Sequence, residues 1–440
     1  MDSLTRRASR RPGRGWTLLA LLLLSVPLAA QDDAKQRAKA VRELGKNASS
    51  GTISKLEPYL ADVDVDVRRE AVKAIVDIGT PESVDPLVKA CADNDPEIQI
   101  RAADGLVNFY LPGYIKTGMT ASLRRVGTSI KGKFTDTNDQ VVDAYIQVRP
   151  EIGQALGRVA RGGSSMDARA NAARAAGILR AREAVPDLEQ ALRSKDTQVI
   201  YESLVALEKI RDPSAGPSVA FLLNDLNEKV QVAAIETTGL LENREADNEL
   251  RGILDRSKNM KVKRAALTAL AQMPDQPLHG VYAAYLANKD EGLREAAAEG
   301  LARLKNPDDR PSAENAFSNE EKTGPRLALA FALVALGKRD TGQYDPLRYL
   351  VNNLNSAAYR GTARPYLIEL ARDAEVRSAL YPLLQEATVT RDEKTGLAQV
   401  FAASGGQDSI APLETLSKDS DNDVSQEAFR SLKNLRARLP

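Results

Sequence analysis

The clearest signal in the chain is a polar residue followed, two spacers later, by an aliphatic one that opens an Ala-rich amphipathic run. It occurs at Asp64/Val67, Asp95/Ile98, Asp196/Val199, Asn227/Val230, Asn259/Val262, Asp290/Leu293 and Asp421/Val424. The steps from Asp64 to Asp95 and from Asp196 to Asn227 are both 31 residues, and the next two are 32 and 31. Apolar residues then fall four, seven, eight and eleven positions beyond the opening aliphatic, as in Val67, Ala71, Ala74, Ile75 and Ile78 or Val262, Ala266, Ala269, Leu270 and Met273. That spacing is one face of a 3.6-residue helix. Asp and Asn suit the position before such a helix, because their side-chain oxygens accept hydrogen bonds from the unsatisfied N–H groups of the first turn.

Each of these first helices runs to a breaker such as Gly79 or Gly337, residues able to adopt a left-handed C-cap. A second apolar run follows, often with proline near its start, at Pro86, Pro186, Pro217, Pro311, Pro346 and Pro412. Proline is tolerated there because its missing N–H would have had no helical partner. Two helices in about 31 residues cannot bury their own apolar faces, whereas stacked copies can. The pattern therefore predicts an all-α protein, an α-solenoid of about 11–12 helical hairpins, curved, with its second helices on the concave side. Residues 34–60 read as a degenerate first hairpin, and the last copy has a first helix only before Arg436–Pro440.

The openings Val67-Arg68-Arg69-Glu70-Ala71 and Ala168-Arg169-Ala170-Asn171-Ala172, with Ala184-Val185-Pro186-Asp187-Leu188 after the second, resemble the HEAT-like repeats named for phycobilisome lyases. The resemblance covers roughly residues 35–437 outside one irregular stretch. It implies a protein-interaction scaffold, and in a minority of such proteins a part in chromophore attachment. Residues 325–337 and 393–405 fit the pattern loosely, and the 359–386 copy carries Pro365 inside its first helix.

The rhythm fails between the 31–110 and 148–440 portions of the array, at an irregular insertion over 111–147. From Gly105 to Thr135 there is no acidic residue, while Lys116, Arg124, Arg125, Lys131 and Lys133 supply five positive charges among glycines and the aromatics Tyr110, Tyr114 and Phe134. Insertions in repeat arrays map to loops on one face, which makes Tyr114 and the five basic residues candidate partner-binding groups for an acidic protein or an anionic lipid surface. The plainer reading is a solvated connector in which Leu123, Val126 and Ile130 form a poor second helix. A further first-helix pattern is expected at Val148-Arg149, 20 residues before the copy at Ala168.

Composition narrows the function. The chain is 43% hydrophobic but only 5% aromatic, as expected of small-residue helix packing. Residues 1–30 read as a signal peptide: Arg6, Arg7, Arg10, Arg11 and Arg14 precede an apolar run through Leu21–Leu24 to Ala29-Ala30, too short for a comfortable membrane-spanning helix. An exported protein of the bacterial periplasm or exterior is expected, with an uncleaved anchor as the alternative. Without those five Arg and one Asp the formal charge of +1 becomes −3, so the global basic field that draws nucleic acid is missing.

One Cys and one His leave little for chemistry. Cys91 follows Leu87-Val88 at helical spacing and is expected in the core; His279 opens a second helix. The acidic runs Asp62–Asp66 and Asp419–Asp423 alternate like a calcium loop, but lack the glycine and glutamate such loops need at the sixth and twelfth positions; capping explains them. Arg68, Arg169 and Arg294 share one repeat position and are expected to buttress neighbouring carboxylates. The sequence thus predicts no catalytic residue, metal, cofactor or small-molecule substrate. It predicts a scaffold for a protein partner in the cell envelope, acting through its concave face, the insertion or both; the alternatives are a peripheral anionic-lipid binder and a bilin lyase-like accessory subunit.

Overall fold

The computed structural model describes residues 28–47, 49–115 and 140–439, and every regular element among them is helical. The first hairpin pairs α1 (Leu28–Gly45) with α2 (Ser50–Leu56), and the second α3 (Val65–Ile78) with α4 (Val84–Ala90). The third opens with α5 (Pro96–Tyr110) and closes, beyond the insertion, with α6 (Pro150–Gly162). Next come α7 (Met166–Ile178) with α8 (Val185–Ala191), then α9 (Thr197–Ile210), whose return consists of the 3-10 turns Pro213–Ala215 and Pro217–Leu222. The array continues as α10 (Glu228–Leu240) with α11 (Asp247–Arg256), α12 (Met260–Gln272) with α13 (His279–Tyr285), and α14 (Glu291–Leu304) with α15 (Arg310–Asn319). The remaining pairs are α16 (Thr323–Ala335) with α17 (Pro346–Asn352), α18 (Arg360–Leu370) with α19 (Ala374–Leu380), and α20 (Arg391–Ser404) with α21 (Ile410–Leu416). They are followed by α22 (Asn422–Arg438) alone.

The recurring polar residues cap as the sequence predicts. Asp64, Asp95, Ser165, Asp196, Asn227, Asn259, Asp290 and Asp421 each accept at least one first-turn N–H. Gly79 and Gly337 both take positive φ at their helix ends, as expected (φ 61 and 97), but Arg180, Arg211, Glu242 and Lys305 do the same in their repeats. A side chain there costs roughly 1–2 kcal/mol, so the hairpin turn is imposed by stacking and not by glycine. Most second helices are short, seven residues in α4, α8, α13, α17, α19 and α21, and short 3-10 turns lead into most of them.

The apolar face chosen by spacing is the buried one: Val67, Ala71, Ile75, Ala266, Leu270, Leu207 and Leu435 are all sealed from solvent. The core is consequently a ribbon between two helical layers. First helices contact each other in unbroken succession from α1 to α22, whereas outside α4, α6 and α8 the return helices touch one another only marginally. In a curved double layer the closer-packed layer has the smaller radius. The expectation that second helices line the concave side is thus corrected: the first helices do.

The second correction concerns α6. Its Val148-Arg149 opening looked like another first helix, but α5 packs directly on α7, and α6 lies against α8 in the second layer. Gly153 and Gly157 allow this, since a Cβ at either would stand within 3.1 Å of Ala181 and of the Ala184 backbone respectively. The insertion is therefore the connection inside the third hairpin.

Basic residues, mostly arginines, tie several hairpins to the next. Arg68 Nε lies 2.8 Å from Asp93, Arg294 Nε 2.8 Å from Glu320, and Arg377 Nε 2.8 Å from Asp408. Arg37 and Lys394 reach Asp62 and Asp419 in the same way. The buttress reading holds for Arg68 and Arg294. It fails for Arg169, which donates to the Ala160 carbonyl of the preceding helix instead, because no carboxylate stands where its counterparts find one.

Candidate interaction surface

The inner wall is built from one line of positions on successive first helices. Counting from the cap, the ninth residue is Asp104 on α5, Arg174 on α7, Glu236 on α10, Glu299 on α14 and Arg430 on α22. These polar residues interrupt otherwise Ala- and Leu-rich helices, and the apolar-face rule passes over them.

At the front of the array Arg174 holds Glu202 through Nη2–Oε1 at 2.8 Å and Nε–Oε2 at 3.2 Å, with both side chains 4% exposed. Gln198 donates to the same carboxylate at 2.7 Å, and Asn171 donates to Asp104 at 3.1 Å. Tyr114, the one candidate insertion residue within the described part, is half-buried over this cluster, its hydroxyl bonded to Arg174. Burial pushes that phenol well above its ordinary range, with Asp104 adding to the effect. Lys116, Arg124, Arg125, Lys131 and Lys133 lie outside the described residues, as do Leu123, Val126 and Ile130.

In the middle of the wall Thr237 Oγ1 lies 2.7 Å from the Ala233 carbonyl and 2.9 Å from Glu208 Oε1. One hydroxyl has one proton and here faces two acceptors, so both short bonds are satisfied only when Glu208 is itself protonated and donates. Burial, with Glu236 adding to it, pushes the Glu208 carboxyl up to about 7. Glu236 is exposed to solvent, yet the wall crowded round its carboxyl desolvates it enough to raise it as well.

Further along, Glu299 accepts from the Tyr366 hydroxyl at 2.6 Å and from Arg303 at 2.8 Å, while Arg303 also meets Glu369 at 3.0 Å. The Tyr366 ring stacks on Phe331, 4.7 Å between centroids and 4° from parallel. α18 thereby touches α14 across α16, a contact that only a tightly curved inner layer permits. Beside it Glu295 is pushed up to about 7 by burial, with Glu299 and Glu291 adding to the effect.

Residues 140–149 cross this wall. The Val142 amide donates to the Ile178 carbonyl at 2.9 Å, Lys209 to the Gln140 carbonyl at 3.4 Å, and Asp143 pairs with Arg430. A segment that meets both α7 and α22 runs inside the curl.

The residues weighed for chemistry are structural. Cys91 is buried and its thiol is pushed up to about 12, unsuited to nucleophilic work. His279 Nε2 lies 2.8 Å from Asp309 in the next hairpin. In the two acidic runs Asp64 and Asp421 cap helices, while Asp62 and Asp419 pair with Arg37 and Lys394. Among the described residues no group of three or more His, Cys, Asp or Glu is placed to hold a metal ion, and no helix is long and apolar enough to cross a membrane.

A family model for HEAT repeats matches residues 24–107. The chain is a HEAT-like repeat protein. HEAT-repeat proteins commonly bind protein partners. Among solved structures, an engineered protein is 19% identical over 87% of this chain and 98% of its own, with a TM-score of 0.37. The CpcE–CpcF complex of phycocyanin lyase from Nostoc sp. PCC7120 is 18% identical over 68% of this chain and 92% of its own, with a TM-score of 0.32. Importin beta is 14% identical over 93% of this HEAT-like chain and 66% of its own, with a TM-score of 0.36. No curated protein matches.

Proposed function

We propose that this HEAT-like chain is a non-enzymatic protein-binding scaffold of the bacterial cell envelope, and that it holds its partner on the inner wall of first helices. The observation that carries this reading is the state of Glu208, Glu236 and Glu295. They stand on α9, α10 and α14 of that wall, and none forms an ion pair with a described residue, although the array pairs its other inner carboxylates, Glu202, Glu299 and Glu369. Carboxyls without a cationic partner on a concave surface serve a partner that brings basic groups. The cell-envelope setting rests on the basic and apolar run of residues 1–30.

The test is affinity capture from an envelope extract with three baits: the wild type, Glu208→Ala/Glu236→Ala/Glu295→Ala, and a variant with Arg124, Arg125, Lys131 and Lys133 changed to Ser. One partner protein held by the wild type and the insertion variant, and lost by the triple variant, is the expected result. Loss with the insertion variant alone moves the site to the insertion. Capture of anionic lipid without protein, repeated in liposome flotation, replaces the scaffold with a membrane-surface role.

A further inference from the structure

Residues 143–145 lie on α22 as a bound peptide would. The Asp143 carboxylate receives Arg430 Nη2 at 2.6 Å and Nε at 2.8 Å, a two-pronged contact. The next amide, Ala144 N–H, donates to Asn434 Oδ1 at 2.8 Å, and Asn434 Nδ2 turns back to Asp143 at 3.4 Å. The Tyr145 ring lies 5.8 Å from the Lys433 ammonium, which also covers Phe429 at 4.8 Å. A carboxylate, a backbone amide and an aromatic ring in consecutive residues are thus met by a guanidinium, a side-chain amide and an ammonium from one turn of one helix. Asp143 and Arg430 are 287 residues apart in sequence.

The physics of the contact suits exchange. A bidentate guanidinium–carboxylate pair is directional and selective for a carboxylate, and the cation over the ring selects an aromatic residue two places on. Yet the Arg430 side chain remains 50% exposed, so water and other carboxylates can reach it. The segment is tethered at both ends, by Val142 on α7 and by Arg149 on Asp85, which gives it a high effective concentration over α22 despite an exposed contact.

We propose that Phe429, Arg430, Lys433 and Asn434 form a docking site for an Asp-x-Tyr segment of a partner protein, and that Asp143-Ala144-Tyr145 occupies it in cis until such a partner displaces it. Displacement also unties the third hairpin from the last helix and opens the curl. The inference goes beyond the inner-wall reading and does not depend on it.

The experiment uses the full chain and a fluorescent peptide of residues 140–148, read by polarisation. Asp143→Ala frees the site, so this variant binds the peptide about tenfold or more tightly than the wild type does. Adding Arg430→Ala returns binding to background, with the helical circular dichroism of all three proteins unchanged. Small-angle scattering gives a second reading: Asp143→Ala and Arg430→Ala each enlarge the radius of gyration, and Asp143→Arg with Arg430→Asp restores it. Failure of the Asp143→Ala chain to bind the peptide, binding that ignores Arg430, or an unchanged radius in both single variants each overturns the proposal.

Discussion

Arg174 and Glu202 face each other from adjacent first helices, joined by bonds of 2.8 and 3.2 Å with each side chain 4% exposed. Neither charge has water to fall back on. Removing one partner of a buried pair leaves the other charge uncompensated, at a cost of about 3–5 kcal/mol. Arg174→Met and Glu202→Leu singly are each expected to lower the melting temperature sharply, and the double variant to recover most of the loss. Thermal unfolding of the four proteins in a mutant cycle measures the coupling. Additive losses would contradict a direct buried pair.

The ladder between hairpins makes a graded prediction. Arg294 is 18% exposed and reaches Glu320, itself 9% exposed, while donating to the Asn288 carbonyl. Charge-assisted bonds of this kind contribute about 1.5–3 kcal/mol. Arg169 sits at the same repeat position with no carboxylate partner and only the Ala160 carbonyl and Met166 sulfur within bonding distance. Arg294→Ala is therefore expected to destabilise the array more than Arg169→Ala, in urea midpoints measured side by side. Equal midpoints would remove the ladder as a source of stability between hairpins.

The same comparison shows which features could be read from the chain. Caps at Asp64 or Asp196 were legible because their cause is local, a side-chain oxygen within three residues of an orphan N–H. The buried face was legible because periodicity selects it, down to Leu207 and Cys91. What was hidden depends on neighbours. Both helical layers are apolar toward each other, so nothing in the pattern told which is inner. Arg180, Arg211, Glu242 and Lys305 do not announce a left-handed turn. The charged residues nine places after five of the caps gave a signal, Asp104, Arg174, Glu236, Glu299 and Arg430 at one register, which a search for apolar spacing discards. Asp143 and Arg430 meet only because the array curls, and no local rule spans 287 residues.

The last prediction turns on a proton. Thr237 Oγ1 has two acceptors in reach, Ala233 O and Glu208 Oε1, and the geometry closes when Glu208 supplies the second proton. Burial pushes its carboxyl up to about 7, against about 4.3 for an exposed glutamate. Between those values the folded chain holds a proton that the unfolded chain has released, so this group favours folding most at low pH and loses that contribution as pH rises through about 7. Asp95 and Asp290, held low by hydrogen bonds from Arg69 and Arg264, act in the opposite sense: their stabilisation is present at neutral pH and is lost in acid, below the range in which Glu208 titrates. A glutamine at position 208 donates to Thr237 at every pH. Glu208→Gln is therefore expected to melt close to the wild type at pH 5 and clearly above it at pH 8. Thr237→Val, which removes the hydroxyl, is expected to abolish the advantage. An equally large gap between wild type and Glu208→Gln at both pH values would show that Glu208 is ionised throughout and that its bond to Thr237 runs the other way, and no gap at either would show that it stays protonated up to pH 8.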